Sequence, residues 1–155
     1  MYTRLRRARA VGLLVSGGYP AGIRDEFQFN ERGMASILLA EDDDSLRQFL
    51  AKALTRAGHV VVHCGDGNEA LTEIEARNVD FDLLLADIVM PGLDGIELAR
   101  RANEIIPGLK VLFITGFAAV ALHARRSGPM RDTKVLSKPF HLNDLVDQVD
   151  KILAA

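Results

Sequence analysis

Apolar runs and helically spaced stripes alternate along this chain, and that alternation constrains its fold more than any other feature. The runs are Ile37 to Ala40, Val60 to Cys64, Phe81 to Ala86, Val111 to Ile114 and, more briefly, Val135 to Leu136. Between them the apolar spacing becomes helical. Leu46, Phe49, Leu50, Ala53, Leu54 and Ala57 form one stripe, opened by Asp44 or Ser45 as N-cap and stopped by Gly58. Ala70, Leu71 and Ile74 follow the Gly65-Asp66-Gly67 turn, and Ile96, Ala99, Ala102 and Ile105 end before Pro107-Gly108. Leu142, Leu145, Val146, Val149, Ile152 and Leu153 make the last stripe. Buried strands alternating with helices predict an α/β fold, a doubly wound five-stranded parallel sheet with helices on both faces.

The chain has room for one such domain: its 155 residues, 48% apolar and 26% charged with net charge -2, fit the usual domain range of about 100–200 residues. No run approaches the roughly 18 apolar residues of a spanning helix. A single cysteine, Cys64, forms no internal disulfide and favours a reducing, cytoplasmic compartment. Near-neutral charge and the absence of Trp argue against a nucleic-acid surface.

Residues 1–33 carry six arginines against three acids, whereas residues 34–155 carry thirteen basic and eighteen acidic side chains. With no sustained period, residues 1–33 read as an extension to a domain over 34–155. The apolar run Ala10 to Val15 is shorter than a signal-peptide core, and no good cleavage site precedes Pro20. The extension is then a disordered tail, or a stretch upstream of a native start at Met34, since codons for Glu31-Arg32-Gly33 can be purine-rich enough for a ribosome-binding site.

In open parallel sheets, ligands bind beyond the carboxyl ends of the strands. Here those ends carry Glu41-Asp42-Asp43, Asp87, Thr115 and Ser137-Lys138-Pro139. An acid at a strand end is usually a cap or turn former, and Asp43 and Asp44 read that way. Glu41, Asp42 and Asp87 converging on one crevice is different, because like charges repel unless a cation shares the site. Hard oxygen donors without His or Cys point to Mg2+. A divalent metal, an ammonium and a hydroxyl around a carboxylate suit phosphoryl transfer, which needs positioning and charge neutralisation. Asp87 would be the nucleophile and acceptor, Lys138 would balance charge, Thr115 would hydrogen-bond a phosphoryl oxygen, and Glu41 and Asp42 would hold the metal.

These residues resemble the receiver domains of two-component response regulators. The matching pieces are Ile37 through Asp42, Asp87-Ile88-Val89-Met90-Pro91-Gly92-Leu93-Asp94-Gly95, Thr115-Gly116 and Lys138-Pro139-Phe140, in order across nearly all of residues 36–155. The resemblance implies a chemotaxis-type, flavodoxin-like sheet of strand order 2-1-3-4-5, phosphorylation of Asp87 from a histidine kinase or histidine phosphotransferase, the Val89 backbone carbonyl as a metal ligand, and a cis bond before Pro139. Within the family, the wording around Ile88 to Pro91, Gly95 to Arg101, Phe113 to Leu122 and Val135 to Leu142 is similar to stand-alone receivers of the alphaproteobacterial cell cycle. That likeness implies an unphosphorylated form that acts as an adaptor for the ClpXP protease, brings it to the cell pole, and is switched off by a phosphorelay. The end Leu153-Ala154-Ala155 resembles a degron read by ClpX, or is an ordinary helix end.

Several positions depart from the usual receiver. Val135 stands where an aromatic normally reports phosphorylation, and Val89 and Phe117 are apolar where many receivers position a hydrolytic water, which predicts a long-lived acyl phosphate. His141 is a weak N-cap for the last helix. Arg125-Arg126-Ser127-Gly128-Pro129 breaks the fourth helix, predicting it short or irregular, and argues for a monomer over a symmetric dimer.

Other readings are a phosphate sink without a proteolytic role, a binding scaffold with a vestigial pocket, and a magnesium-dependent phosphatase of the haloacid dehalogenase type. The last wants an acid where Val89 stands. No nucleotide fingerprint occurs, and His59, His63, His123 and His141 share no metal-ligand spacing, so they read as solvated or capping. Cys64 reads as a small buried hydrophobe.

Overall fold

Within each central strand successive apolar side chains point to opposite faces, so a strand apolar at every position must be covered twice. The computed structural model describes residues 34–76, 79–116 and 133–155. Its elements are β1 (Ser36–Ala40), α1 (Asp44–Arg56), β2 (Val60–Cys64), α2 (Gly67–Ala76), β3 (Leu83–Asp87), α3 (Gly95–Ile105), β4 (Lys110–Thr115), β5 (Lys134–Ser137) and α4 (Leu142–Ala154). The strands form one parallel sheet in the order β2-β1-β3-β4-β5, as expected.

Two apolar layers result. Leu38, Ala40, Leu84, Ala86, Val111 and Phe113 face α2 and α3, meeting Ala70, Leu71 and Ile74 from one and Leu98, Ala99 and Ala102 from the other. Ile37, Leu39, Leu83, Leu85, Leu112 and Ile114 face α1 and α4, against Leu50, Leu54, Leu145, Val149 and Ile152. Each fully buried Leu or Ile contributes about 1.5–3 kcal/mol. The edge strands are less covered, and Val60 of β2 is exposed.

The helical stripes needed adjustment. Helix α1 is capped by Asp43, whose carboxylate accepts the Leu46 amide at 2.8 Å, and not by Asp44 or Ser45. Its buried residues are Leu50, Ala51 and Leu54, while Phe49 is exposed, because one side of a helix faces the sheet and Phe49 lies beyond that arc. In α3 the buried face holds Leu98 with Ala99 and Ala102, and Ile96 and Ile105 are only partly covered. The third strand begins at Leu83 rather than Phe81, since Asp82 turns its carboxylate onto the Ser36 amide. His141 caps α4 without a side-chain bond, as expected. The Lys138–Pro139 bond is cis. Leu153 and Ala154 close α4, and Lys110 Nζ donates to the carbonyls of Ile152 and Ala155, each at 2.6 Å.

His59 is not solvated. It is buried, its Nδ1 accepting the Ala35 amide at 3.3 Å and its Nε2 lying 3.7 Å from Asp150. Cys64 is buried, and burial pushes its thiol up to about 12. The described residues belong to a unit spanning Arg32–Ala155. The extension 1–33, Phe117, His123 and the stretch Arg125 to Pro129, where a short or irregular fourth helix is expected, lie outside the described residues. No helix among the described residues is long and apolar enough to cross a membrane.

Candidate functional site

Because all five strands run parallel, their carboxyl ends share one edge of the sheet, where the polar residues that follow each apolar run are brought together. At β1 the Glu41 amide bonds the Cys64 carbonyl at 3.1 Å, continuing the ladder one residue past the strand. The Glu41 side chain is only 1% exposed, and its Oε1 accepts the Asp43 amide at 3.1 Å. Asp42, next along, is exposed.

Asp87 ends β3 opposite Ile114, buried except for its outer edge, and its Oδ1 accepts the Val89 amide at 3.3 Å. Thr115 ends β4 fully buried and lies opposite Ser137. The Lys138 amide bonds the Thr115 carbonyl at 2.8 Å. From there the Lys138 ammonium reaches back across the sheet, donating to Asp87 Oδ2 at 2.8 Å and Glu41 Oε2 at 3.1 Å. One cation thus joins two carboxylates that lie far apart in the chain.

The approach of α3 to this edge depends on Gly95. Its amide donates to the Ile88 carbonyl at 2.9 Å, and a Cβ there would sit 2.1 Å from the Asp87 carbonyl oxygen. Only glycine lets the helix start this close to the end of β3.

Burial raises the Glu41 carboxyl, opposed by the Asp43 amide and by Lys138. At Lys138 burial acts downward, but the hydrogen bonds and charges of Asp87 and Glu41 outweigh it, so the ammonium is held above its ordinary value. One positive charge faces three carboxylates, and oxygen atoms of Glu41, Asp42 and Asp87 lie within 4.8 Å of one another. An oxygen-only donor set this close, partly buried and short of positive charge, fits a hard divalent cation such as Mg2+.

The structure therefore brings Glu41, Asp42, Asp87 and Lys138 together, with Thr115 at the adjoining strand end. Val89 lies two residues beyond Asp87 and is 53% exposed, its side chain apolar. Val135 pairs with Phe113 and packs on the layer beneath α2 and α3. The sequence did not single out Arg47, gave Gly95 no role beyond its place in the motif, and had His59 as solvated or capping. Arg47 did leave a signal, because a cation in the first turn of a helix opposes the macrodipole and so invites a specific reason.

Comparison with known proteins points to one family. The family model for the response regulator receiver domain matches residues 37–150. The chain is 58% identical over 122 residues to the response regulator receiver protein CpdR of Brucella abortus (strain 2308), covering 79% of this chain and 99% of that protein. It is 35% identical over 121 residues to the sensor kinase CckA of the same organism, covering 78% of this chain but 13% of the kinase. Among solved structures, a response regulator receiver protein from Sinorhizobium medicae WSM419 superposes with a TM-score of 0.70 at 31% identity, over 79% of this chain and 96% of that one.

Proposed function

This chain belongs to the response regulator receiver family, and from that premise we propose that Asp87 accepts a phosphoryl group from a histidine kinase or histidine phosphotransferase, and that the change in charge controls a protein contact. The observation that carries this reading is the Lys138 ammonium at 2.8 Å from Asp87, beside Glu41 and Asp42. An Asp87 carboxylate oxygen attacks phosphorus, the P–N bond of the donor phosphohistidine breaks, and its electron pair leaves with the imidazole nitrogen. The product is an acyl phosphate on Asp87. Lys138 neutralises charge on Asp87 and then on the incoming phosphoryl oxygens, and Thr115 hydrogen-bonds one of those oxygens. Glu41, Asp42, Asp87 and the Val89 carbonyl would hold Mg2+, which supplies further neutralisation of the phosphoryl oxygens.

The output follows from the likeness to CpdR, which extends over nearly all of that protein. In this reading the unphosphorylated chain is a cytoplasmic, monomeric adaptor for the ClpXP protease, recruited with it to a cell pole, and phosphorylation of Asp87 withdraws it. It accepts a group and turns over no substrate. The functional domain is residues 34–155, with residues 1–33 an extension to it.

Phosphotransfer from a phosphohistidine donor with and without Mg2+ tests the chemistry, with labelling expected only when the metal is present. Affinity capture with wild type and Asp87→Ala tests the output. An adaptor shows partners that depend on the state of Asp87, and a phosphate sink shows the kinase pathway alone.

A further inference from the structure

Glu41 and Asp42, two of the three clustered carboxylates, are neighbours in the chain, and their Cα atoms share the single plane of the peptide between them. What fixes that plane is a residue of α1. Arg47 Nη1 donates to the Glu41 carbonyl at 2.9 Å, its Nη2 pairs with Asp44, and its side chain is only 14% exposed. The guanidinium also lies against the turn after β2, with Nη1 3.3 Å from the position a Cβ on Gly65 would take. The opposite end of the Glu41 residue is tied to the same region, its amide bonding the Cys64 carbonyl.

We infer that Arg47 is a positioning residue for the metal ligands: by gripping the Glu41 carbonyl from α1 it sets the orientation from which Glu41 and Asp42 turn toward Asp87. This rests on the reading of the carboxylate cluster as a Mg2+ site. Rotation about the bonds flanking that carbonyl would carry Asp42, which is exposed, away from the other two ligands. The planar guanidinium suits the task because it binds the carbonyl with one nitrogen and the Asp44 carboxylate with another, in a fixed fork. Asp44 also offsets its charge, so the arginine orients the ligands with little net repulsion toward a cation.

Positioning and simple electrostatics predict opposite signs. Removing the Arg47 cation from beside the Glu41–Asp42 peptide should, if anything, tighten Mg2+ binding by Coulomb's law. Loss of an outer partner that orients ligands should weaken it, by about 10–100-fold. The experiment is calorimetric titration of the full chain with Mg2+ alone, for wild type, Arg47→Met and Arg47→Lys, with thermal unfolding and amide NMR of the metal-free proteins alongside. The expected result is at least about tenfold weaker binding for Arg47→Met, an intermediate value for Arg47→Lys, which retains charge but loses the fork, and metal-free shifts concentrated at Glu41 to Asp44. Binding by Arg47→Met as tight as wild type or tighter, even with a lowered Tm, would leave Arg47 a helix ion pair and overturn the inference. Should Arg47→Met fail to fold, wild-type affinity in Arg47→Lys overturns it equally. Failure of wild type itself to bind Mg2+ removes the metal reading and this inference with it.

Discussion

Lys138 Nζ lies 2.8 Å from Asp87 Oδ2 and 3.1 Å from Glu41 Oε2, so a single ammonium holds two buried carboxylates from the ends of different strands. The arrangement serves chemistry at the expense of stability. Without metal, Asp87→Asn removes one of the mutually repelling charges and should raise stability by about 1 kcal/mol. Lys138→Met strands Glu41 and Asp87 together and should lower it by about 3 kcal/mol. Urea unfolding of both variants in the presence of a chelator measures the pair, and added Mg2+ should narrow the deficit of Lys138→Met.

Gly95→Ala should be severe, because its Cβ would sit 2.1 Å from the Asp87 carbonyl oxygen, a backbone atom with no freedom to swing aside. Either α3 or the end of β3 must move, at a cost of about 3 kcal/mol. Phosphorylation should slow along with the loss of stability, whereas a control such as Gly108→Ala, where the added methyl meets nothing and the only penalty is a positive φ of 84°, should slow phosphorylation little. Denaturant midpoints and phosphotransfer rates for both proteins check this.

Acid should weaken the fold partly through His59. Burial lowers its affinity for a proton below the ordinary value of 6.5, against the pull of Asp150 and Asp82, and an imidazolium would have to give up accepting the Ala35 amide. The unfolded chain therefore binds a proton that the folded chain refuses, and stability falls as pH drops below 6.5. Above that value His59 contributes no slope. Glu41, raised by burial, acts in the opposite sense, its penalty fading as pH falls toward 4.5, so the comparison needed is between two proteins. His59→Gln keeps an acceptor for Ala35, and as pH falls below 6.5 it should lose less stability than wild type.

The acyl phosphate should persist. Val89, 53% exposed two residues beyond Asp87, offers no hydrogen-bonding group to orient water. Val89→Asn restores one, and the rate of spontaneous phosphate loss should rise by about tenfold or more. The decay of radiolabelled protein after removal of the donor reads it directly.

Much of the fold was legible because the central strands are apolar at every position and the helices are not. Leu83 through Ala86 admits few arrangements besides a strand covered on both faces, and the polar residues after each run then had to meet at one edge. Boundaries were less legible where a side chain competes with a backbone group. Asp43 takes the Leu46 amide and moves the start of α1, and Asp82 takes the Ser36 amide ahead of β3. The buried face of α3 was misjudged because Leu98 was left out of the stripe, although it is fully buried. Glu41, Asp42, Asp87 and Lys138 could be named from residue type and place. The roles of Arg47 and His59 were harder to see, since each binds a backbone group, the Glu41 carbonyl and the Ala35 amide, that leaves little trace in residue identity.

The central claim is that Asp87 is where phosphorus becomes bound. Intact mass of wild type and Asp87→Asn, each incubated with Mg2+ and a phosphorylated histidine phosphotransferase, tests it most directly. One phosphoryl adduct on wild type, removed by hydroxylamine and absent from Asp87→Asn, is the predicted result. An adduct of equal yield on both proteins, or none on wild type while the same donor labels another receiver, would contradict it.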